Sequence, residues 1–187
     1  MTFNQDTVRL MRVFKEFTQK ELGSRVSAST ATISQIEKGR APSETLEPAL
    51  ALVLGVKPEF FADKILDEFT DRDCNFRKGT RSVERVRKKV LAQGTLFAHA
   101  VAQLKAQHKV EFPQFDIQIV TATTPEEVEA AADGCRERWG LGTDTPIAKM
   151  SRVIESKAGV MLTRLRNDAS VALDAFSHRG RNGGASY

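Results

Sequence analysis

The sequence predicts a mainly α-helical protein: five short helices, a long connecting helix, and a small α+β C-terminal region with a short β-hairpin. Three observations support this fold class. Short helical patterns separated by capping and turn residues fill residues 1–70. Residues 80–107 contain no proline and repeat apolar residues at spacings of three and four. Two further helical patterns and two β-branched runs follow residue 124.

Composition excludes several classes of protein. The chain has 187 residues, 41% of them apolar, which suffices for one or two packed domains. No run approaches the roughly 20 apolar residues of a spanning helix, and the first residues lack the order of a signal peptide. Cys74 and Cys135 show no metal-ligand spacing. We therefore expect a cytoplasmic protein with reduced thiols and no membrane partner.

The positive charge is concentrated in one segment. The formal net charge is +4, yet residues 1–70 hold nine basic and ten acidic side chains, and residues 112–187 hold the same numbers. Residues 71–111 hold ten basic and four acidic side chains. Because seven of those basic residues lie between Arg77 and Lys89, a local basic surface is predicted there.

The first two helices have recognisable starts. Thr7 is predicted to cap the first, whose sides carry apolar residues including Leu10 and Phe14. Thr18 is predicted to cap the second, which ends near Arg25. The run T-Q-K-E has the form of a capping box, in which a threonine and a glutamate satisfy each other's backbone amides.

A tight turn then separates the second helix from a third. Ser29 is predicted to cap residues 30–38, and Gly39 to close them. Two helices joined by three or four residues form a helix-turn-helix, whose second member can enter a DNA major groove. Thr45 is predicted to cap a fourth helix ending at Gly55, with Pro48 in its first turn, and Pro58 to open a fifth.

The segment T-Q-K-E-L-G-S-R-V-S-A-S-T-A-T-I-S-Q-I-E-K-G-R-A-P-S, followed by L-A-L-V-L-G-V-K-P-E-F-F, resembles the DNA-binding domain of the XRE family. This is the five-helix domain of phage Cro and lambda-type repressors. The resemblance covers about residues 4–66 and rests on several motifs at the family's spacing. Two positions depart from it: Gly23 replaces an alanine, and Ser27 replaces the turn glycine, which predicts slight backbone strain.

Helical periodicity separates the inner and outer sides of the third helix. Ile33 and Ile36 are predicted to face inward with Leu22 and Val26. The outward positions are then the candidate base-reading residues: Thr30, Ala31, Ser34, Gln35 and Lys38.

The chemistry of those side chains suits a major groove. Gln35 can bond bidentately to adenine, and Thr30 and Ala31 can contact a thymine methyl group. Each good base contact contributes roughly 1 to 3 kcal/mol of discrimination. The third helix itself contains no arginine, so a guanine contact would have to come from Lys38 or Arg40.

The resemblance also implies roles outside the base-reading positions. It assigns a phosphate contact to Gln19, at the start of the second helix, with Thr18, Ser29 and Arg40 as neighbours. It further implies an ion pair between Arg12 and Glu37 that ties the first helix to the third.

The long helix is predicted from Thr80 to about Gln107. Its apolar stripe consists of Val83, Val86, Val90, Gly94, Phe97, Val101 and Leu104. Arg81, Arg85 and Lys88 lie almost opposite this stripe, and we list them as further candidate phosphate contacts.

Several interpretations of this helix remain open. The basic face could follow DNA phosphates or could simply be solvated. The stripe could form a coiled-coil seam, with Gly94 permitting close approach, or could pack on Leu10 and Phe14. His99 and His108 are nine residues apart, which does not suit a metal site, so both are expected to be core or surface histidines.

The C-terminal third begins with residues 112–124, predicted to be an extended linker or edge strand. Thr124 and Pro125 then start a helix whose inner face is Val128, Ala132, Cys135 and Trp139. Cys135 is expected to be a buried thiol. Thr145 and Pro146 are predicted to start another helix, with Ile147, Met150 and Ile154 inward, and residues 160–165 and 171–176 to form the hairpin.

The order W-G-L-G, P-I-x-x-M-x-x-x-I-E-x-x-A-G-V, V-M-L-T-R-L and A-L-D-A-F-S resembles the front of the ImmA/IrrE family over about residues 76–178. These zinc-peptidase-like domains often follow an XRE domain. Their catalytic H-E-x-x-H is absent here, and His178 alone cannot hold a metal. We therefore expect a truncated scaffold with no catalytic residue, no metal and no cofactor.

Together these features predict a sequence-specific DNA-binding repressor that is not an enzyme, and the resemblances imply a role in phage or prophage immunity. The expected domains are residues 1–70 (DNA binding), 71–111 (basic connecting helix), 112–180 (ImmA/IrrE-like) and a tail at 181–187. Expected partners are operator DNA and a second copy of the chain. One alternative is a regulator whose metallopeptidase half is missing, and another is an antitoxin-like module that binds a partner protein. If the protein is phage-encoded, the host bacterial cytoplasm is its expected location.

Overall fold

A computed structural model describes residues 3–65, 67–76, 84–108, 118, 120–164 and 176–178, and this part of the chain is mainly helical. The chain divides into two compact units. One comprises residues 1–109 with 165–178, and the other comprises residues 110–164 with 179–187. We call them the first and second units.

The first helix, α1, spans Gln5–Phe14 and begins one turn earlier than predicted. Its N-cap is Asn4, whose side chain accepts a hydrogen bond from the amide of Asp6. The prediction of Thr7 as the cap is wrong. Thr7 is fully buried, and its hydroxyl donates to the carbonyl of Asn4 over 2.7 Å, so it supports the first turn from inside.

Three further helices and one 3-10 turn complete the N-terminal part of the first unit. They are α2 (Gln19–Arg25), α3 (Thr30–Ile36), α4 (Leu46–Leu54) and a 3-10 helix at Pro58–Ala62. Thr45 and Gly55 flank α4 at the predicted positions, and Gly55 is left-handed. The side chain of Thr45 makes no capping hydrogen bond, and the hydroxyl of Ser43 accepts the amide of Leu46 over 3.3 Å instead. The buried side chains of these elements form one core: Val8, Met11, Leu22, Val26, Ile33, Ile36, Leu50, Ala51, Leu54 and Phe61.

The long helix, α5, spans Glu84–His108, and its predicted first residues lie outside the part of the chain that is described. It packs against α1, and Leu96 contacts the core of the N-terminal helices. Leu10 is only 6% exposed, so the apolar side of α1 is covered. Of the interpretations left open by the sequence, packing back on the first helix is the one observed.

The α5 stripe is buried over its middle and exposed at its end. Val90 and Val101 are buried as predicted, whereas Leu104 is 48% exposed. Gly94 permits a close approach within the chain: a β-carbon there would lie 2.5 Å from the ring of Phe69. The hydroxyl oxygen of Thr95, which is also buried, accepts a hydrogen bond of 2.9 Å from the backbone amide of Phe69. This bond fixes the segment around Phe69 on the helix.

A two-stranded antiparallel sheet closes the first unit. Strand β1 (Cys74–Phe76) pairs with β2 (Phe176–His178), with Cys74 opposite His178. The imidazole of His178 stacks on Phe69 with ring centroids 3.6 Å apart. Burial raises the pKa of the Cys74 thiol to about 12, so this cysteine is protonated and unreactive.

The predicted hairpin between residues 160–165 and 171–176 is not confirmed. Residues 160–164 form no strand, and residues 165–175 lie outside the described part. The strand at Phe176–His178 pairs with residues about 100 positions earlier rather than with its sequence neighbours. Local β-propensity could not specify this partner, because the pairing is set by tertiary contacts.

The second unit contains α6 (Pro125–Arg138) and α7 (Met150–Lys157). The predicted start of α6 is confirmed, because Thr124 and Glu127 form a capping box. The predicted inner face of α6 is wrong: Val128 is 53% exposed, and no residue of this helix is buried. Ala132 is exposed, while Cys135 and Trp139 are only half-buried.

Helix α7 begins four residues later than Pro146, and its predicted inner side is not a core. Ile147 and Ile154 are half-buried, and Met150 is 48% exposed. The guanidinium of Arg136 donates to the carbonyls of Gly142 and Thr145 over 2.8 and 2.5 Å. These bonds join the end of α6 to the loop that precedes α7.

The first unit joins the predicted DNA-binding segment, residues 1–70, to the segment that follows it, and its first part ends at residue 109, close to the predicted boundary between residues 111 and 112. The helix predicted as a connector belongs to the first unit because it packs on α1. Residues 176–178 belong there as well, because β2 pairs with β1.

Candidate nucleic-acid interface

Buried side chains on α2 and α3 set the orientation of the outward residues. Leu22 and Ile33 are fully buried, Ile36 is 1% exposed and Val26 is 8% exposed, as the periodicity predicts. Since residues on opposite sides of a helix point in opposite directions, this burial turns the polar side of α3 to solvent.

The connection between α2 and α3 is very tight. Ser27 has φ +54°, a left-handed conformation. This conformation is unfavourable for any residue that has a β-carbon, in line with the predicted strain. A β-carbon at Gly23 would lie 2.7 Å from the carbonyl oxygen of Ala28. The two departures from the XRE pattern therefore meet at the same turn: Ser27 lies within it, and Gly23, in α2, packs against its backbone.

The five candidate base-reading residues lie on one side of α3 or just beyond its end. Thr30, Ala31, Gln35 and Lys38 are exposed, and Ser34 is half-buried. Ser29 is exposed and caps the helix by accepting the amide of Thr32 over 3.0 Å. The α3 surface consequently offers hydroxyl, methyl, amide and ammonium groups side by side.

The expected ion pair between Arg12 and Glu37 is present and largely buried. Two bonds of 2.5 and 2.9 Å join the guanidinium and the carboxylate, whose side chains are 15% and 5% exposed. The amide nitrogen of Gln19 donates to the same carboxylate over 2.8 Å. One carboxylate thereby joins α1, the start of α2 and the end of α3.

Gln19 is half-buried, and this bond fixes its position beside the α2 N-terminus. The amide nitrogen of a glutamine carries two hydrogens, so one remains for a second acceptor. Thr18 is exposed and forms a capping box with Glu21. Bonds from the backbone and hydroxyl of Thr18 hold the pKa of Glu21 below its usual value.

Gln35 and Arg40 are hydrogen-bonded to each other. An Nη1 hydrogen of Arg40 is donated to Oε1 of Gln35, and the backbone amide of Arg40 donates to the carbonyl of Gln35 over 3.0 Å. Gly39 lies between them with φ +108°, a conformation that only glycine adopts readily. Sequence reasoning placed both residues at the interface but did not foresee this bond.

The basic end of α5 lies beside the start of α2. Arg85, Lys88 and Thr18 line the same surface cleft, of about 450 Å³. Arg85 donates to the carbonyl of Glu16 over 2.6 Å, and Lys88 pairs with Glu84 over 2.6 Å. Bonding to Lys88 also holds the pKa of Glu84 low.

Two residues of this cleft region were not among the candidates. Lys89 binds the carboxylate of Glu16 over 2.7 Å, and Glu16 has φ +59°. The contact joins residues 73 positions apart, so no local pattern could reveal it. Arg81, the remaining candidate, lies outside the described residues.

Neither a metal site nor a membrane-spanning helix is present in the described part of the chain. Within the ranges the structure describes, no three His, Cys, Asp or Glu side chains are grouped so that they could hold a metal ion. His99 instead contacts the carboxylate of Asp63 over 3.0 Å and the edge of Phe60. Across those same ranges, no helix combines the length and apolar character needed to cross a membrane.

Neither a protein-family model, a curated protein nor a solved structure matches this chain.

Proposed function

We propose that the chain is a sequence-specific DNA-binding transcriptional repressor. Its first four helices and the 3-10 turn would act as a five-helix, lambda-repressor-like helix-turn-helix domain of the XRE type. Repression would result from occlusion of RNA polymerase by the protein bound at an operator. The resemblance to the XRE pattern further favours a role in phage or prophage immunity.

One observation carries the proposal. Helix α3 is held by a buried apolar side against α2 and exposes Thr30, Ala31, Gln35 and Lys38. A short helix that presents such groups in one row matches the donor, acceptor and methyl pattern of a major groove.

The surroundings of α3 supply the positioning contacts that such a protein needs. Thr18, Gln19 and Ser29 are at helix N-termini, where backbone amides favour phosphate oxygens. The Arg12–Glu37 pair would keep the base-reading and phosphate-binding helices in register.

The proposal is tested by selecting bound duplexes from a random DNA library and footprinting the enriched sequence. We expect one motif to be enriched, and Gln35→Ala to lose preference at one base pair while still binding unrelated DNA. That base pair should lose roughly 10-fold or more in discrimination. Sedimentation with the selected duplex would then give the number of protein copies bound and test the expected homodimer.

Two results would contradict the proposal. If the full chain enriches no motif, it is not a sequence-specific DNA-binding protein. If Gln35→Ala retains the whole preference, α3 is not the reading helix. A reporter promoter carrying the motif between its polymerase contacts should be repressed by the wild-type chain and not by Gln35→Ala.

A further inference from the structure

We infer that Arg40 and Gln35 act as one reading unit that selects guanine, where Gln35 alone would select adenine. The inference rests on the proposed function and names the base that this site prefers. The sequence led us to expect adenine as the base read by Gln35 and grouped Arg40 with the phosphate contacts, while leaving open a guanine contact by Lys38 or Arg40. The inference replaces the first two expectations and assigns the guanine contact to Arg40 together with Gln35.

The first step is the geometry of the pair. The side chains are joined by the bond from Nη1 of Arg40 to Oε1 of Gln35. Their backbones are joined as well, because the amide of Arg40 donates to the carbonyl of Gln35 over 3.0 Å. Gly39 at φ +108° makes this closed turn, so Arg40 is held next to Gln35 by the main chain and not by side-chain contact alone.

Within the described residues, no acid competes for Arg40. Glu37 is the nearest carboxylate in sequence, and it already binds Arg12 and Gln19. Among the residues that the structure describes, none forms an ion pair with Arg40. Both members of the pair are exposed, so the remaining hydrogens of the guanidinium can point into a groove.

The third step is a match to base edges. Adenine presents one acceptor, N7, and one donor, the N6 amino group, whereas guanine presents two acceptors, N7 and O6. Bidentate adenine binding needs the oxygen of Gln35 as the acceptor for N6. In this pair that oxygen already accepts from a cation, and the groups still available to a base are chiefly donors: the amide hydrogens of Gln35 and the other hydrogens of Arg40.

Electrostatics acts in the same direction. The oxygen of Gln35 keeps a second lone pair, but a base that uses it must approach beside the guanidinium. Adenine would bring the positive hydrogens of N6 towards that charge, whereas guanine would bring the negative O6. The pair therefore favours guanine through hydrogen bonding and through charge.

The test is duplex selection with wild-type protein, Gln35→Ala and Arg40→Met. Loss of preference in Gln35→Ala identifies the base pair that the unit reads. At that position the wild type should prefer guanine over adenine by roughly 10- to 100-fold. Arg40→Met keeps much of the side-chain length but removes all donors, so the preference should change to adenine while the rest of the motif is retained.

Modified bases then separate direct reading from other effects. Replacing the guanine by 7-deazaguanine removes N7 and should weaken binding roughly 10-fold, whereas inosine has the same major-groove edge and should bind equally well. Lys57→Met is the matched control, since Lys57 is exposed and lies outside α2, α3 and the loop that follows them. It should leave every base preference unchanged.

These experiments separate the guanine assignment from the proposed DNA-binding function. Enrichment of adenine by the wild type, or an unchanged preference in Arg40→Met, would overturn the guanine assignment and leave the proposed function standing. Failure of the wild type to enrich any sequence would overturn the proposed function, and this inference with it.

Discussion

Gly23 and Ser27 together allow the tight turn between α2 and α3. The chain folds through Ser27 with a positive φ, and this brings the carbonyl of Ala28 against Gly23. The amide of Ala28 also donates to the carbonyl of Gly23 over 2.8 Å. Glycine at position 23 consequently provides space that an alanine would fill, which gives its departure from the XRE pattern a physical reason.

Gly23→Ala should destabilise the first unit despite alanine's better helix propensity. Alanine gains about 1 kcal/mol in a helix interior, but its β-carbon would lie 2.7 Å from a backbone oxygen that must then move. We expect a net loss of about 1 to 2 kcal/mol in the free energy of unfolding. Hydrogen exchange of the α2 and α3 amides would measure it.

Gly134→Ala in α6 is the matched control, because apart from its chain neighbours and the nearby backbone of its own helix, no atom lies within 4 Å of the added β-carbon. It should slow exchange of the α6 amides through helix propensity alone. Equal stabilisation by both substitutions would show that the α2–α3 turn relaxes at no cost.

At the scale of elements, local signals predicted more than contacts between distant segments. The capping boxes at Thr18 and Thr124 follow from hydrogen bonds three residues apart, and both are present. The pairing of β1 with β2 and the bond from Lys89 to Glu16 join residues far apart in sequence. Such contacts depend on which surfaces remain to be covered once the helices form, and no local pattern encodes that.

At the candidate interface, too, local features could be predicted and the contacts that depend on tertiary structure could not. Burial of Ile33 and Ile36, and hence exposure of Gln35, follows from helical periodicity. The bond from Arg40 to Gln35 depends on the φ of +108° at Gly39 and on the commitment of Glu37 elsewhere. Its side-chain chemistry was visible in the sequence, but its geometry was not.

Gly94→Ala tests how the segment before β1 docks on α5. The added β-carbon would lie 2.5 and 2.7 Å from two atoms of the Phe69 ring and 3.0 Å from the ring of Phe176. Since overpacking a core typically costs 1 to 3 kcal/mol, we expect a loss of about that size in urea unfolding. The amide of Phe69, bonded to Thr95, should exchange faster.

A second substitution provides the control. Phe69→Ala removes both ring atoms that the new methyl group would meet, so the double variant with Gly94→Ala should be more stable than the sum of the two single effects predicts. Strictly additive losses would mean that Gly94 matters for a reason other than its contact with Phe69.

At the scale of the whole molecule, the location of charge matters more than its sum. Residues 1–70 carry a slight acidic excess, so the proposed reading domain has no general attraction for DNA. The basic excess lies in residues 71–111, and the packing of α5 on α1 puts Arg85 and Lys88 in the cleft that Thr18 also lines. Phosphates next to the base-reading site would then meet cations from a distant part of the sequence.

The double variant Arg85→Gln, Lys88→Gln tests this arrangement through salt dependence. Each neutralised phosphate contributes about 0.9 to the slope of log affinity against log salt concentration, so losing two contacts should reduce the slope by about two. Binding to the selected duplex should be measured from 50 to 300 mM salt by fluorescence anisotropy, after circular dichroism has shown that the helices are retained.

Lys57→Gln, Lys64→Gln is the matched control, since both lysines are exposed and the net charge changes equally. If the two double variants lower the slope by the same amount, attraction depends on total charge and the cleft has no special role. If neither changes the slope, Arg85 and Lys88 are solvated side chains. Only a decrease confined to the α5 variant, with base preference unchanged, would mean that α5 binds phosphates while α3 reads the bases.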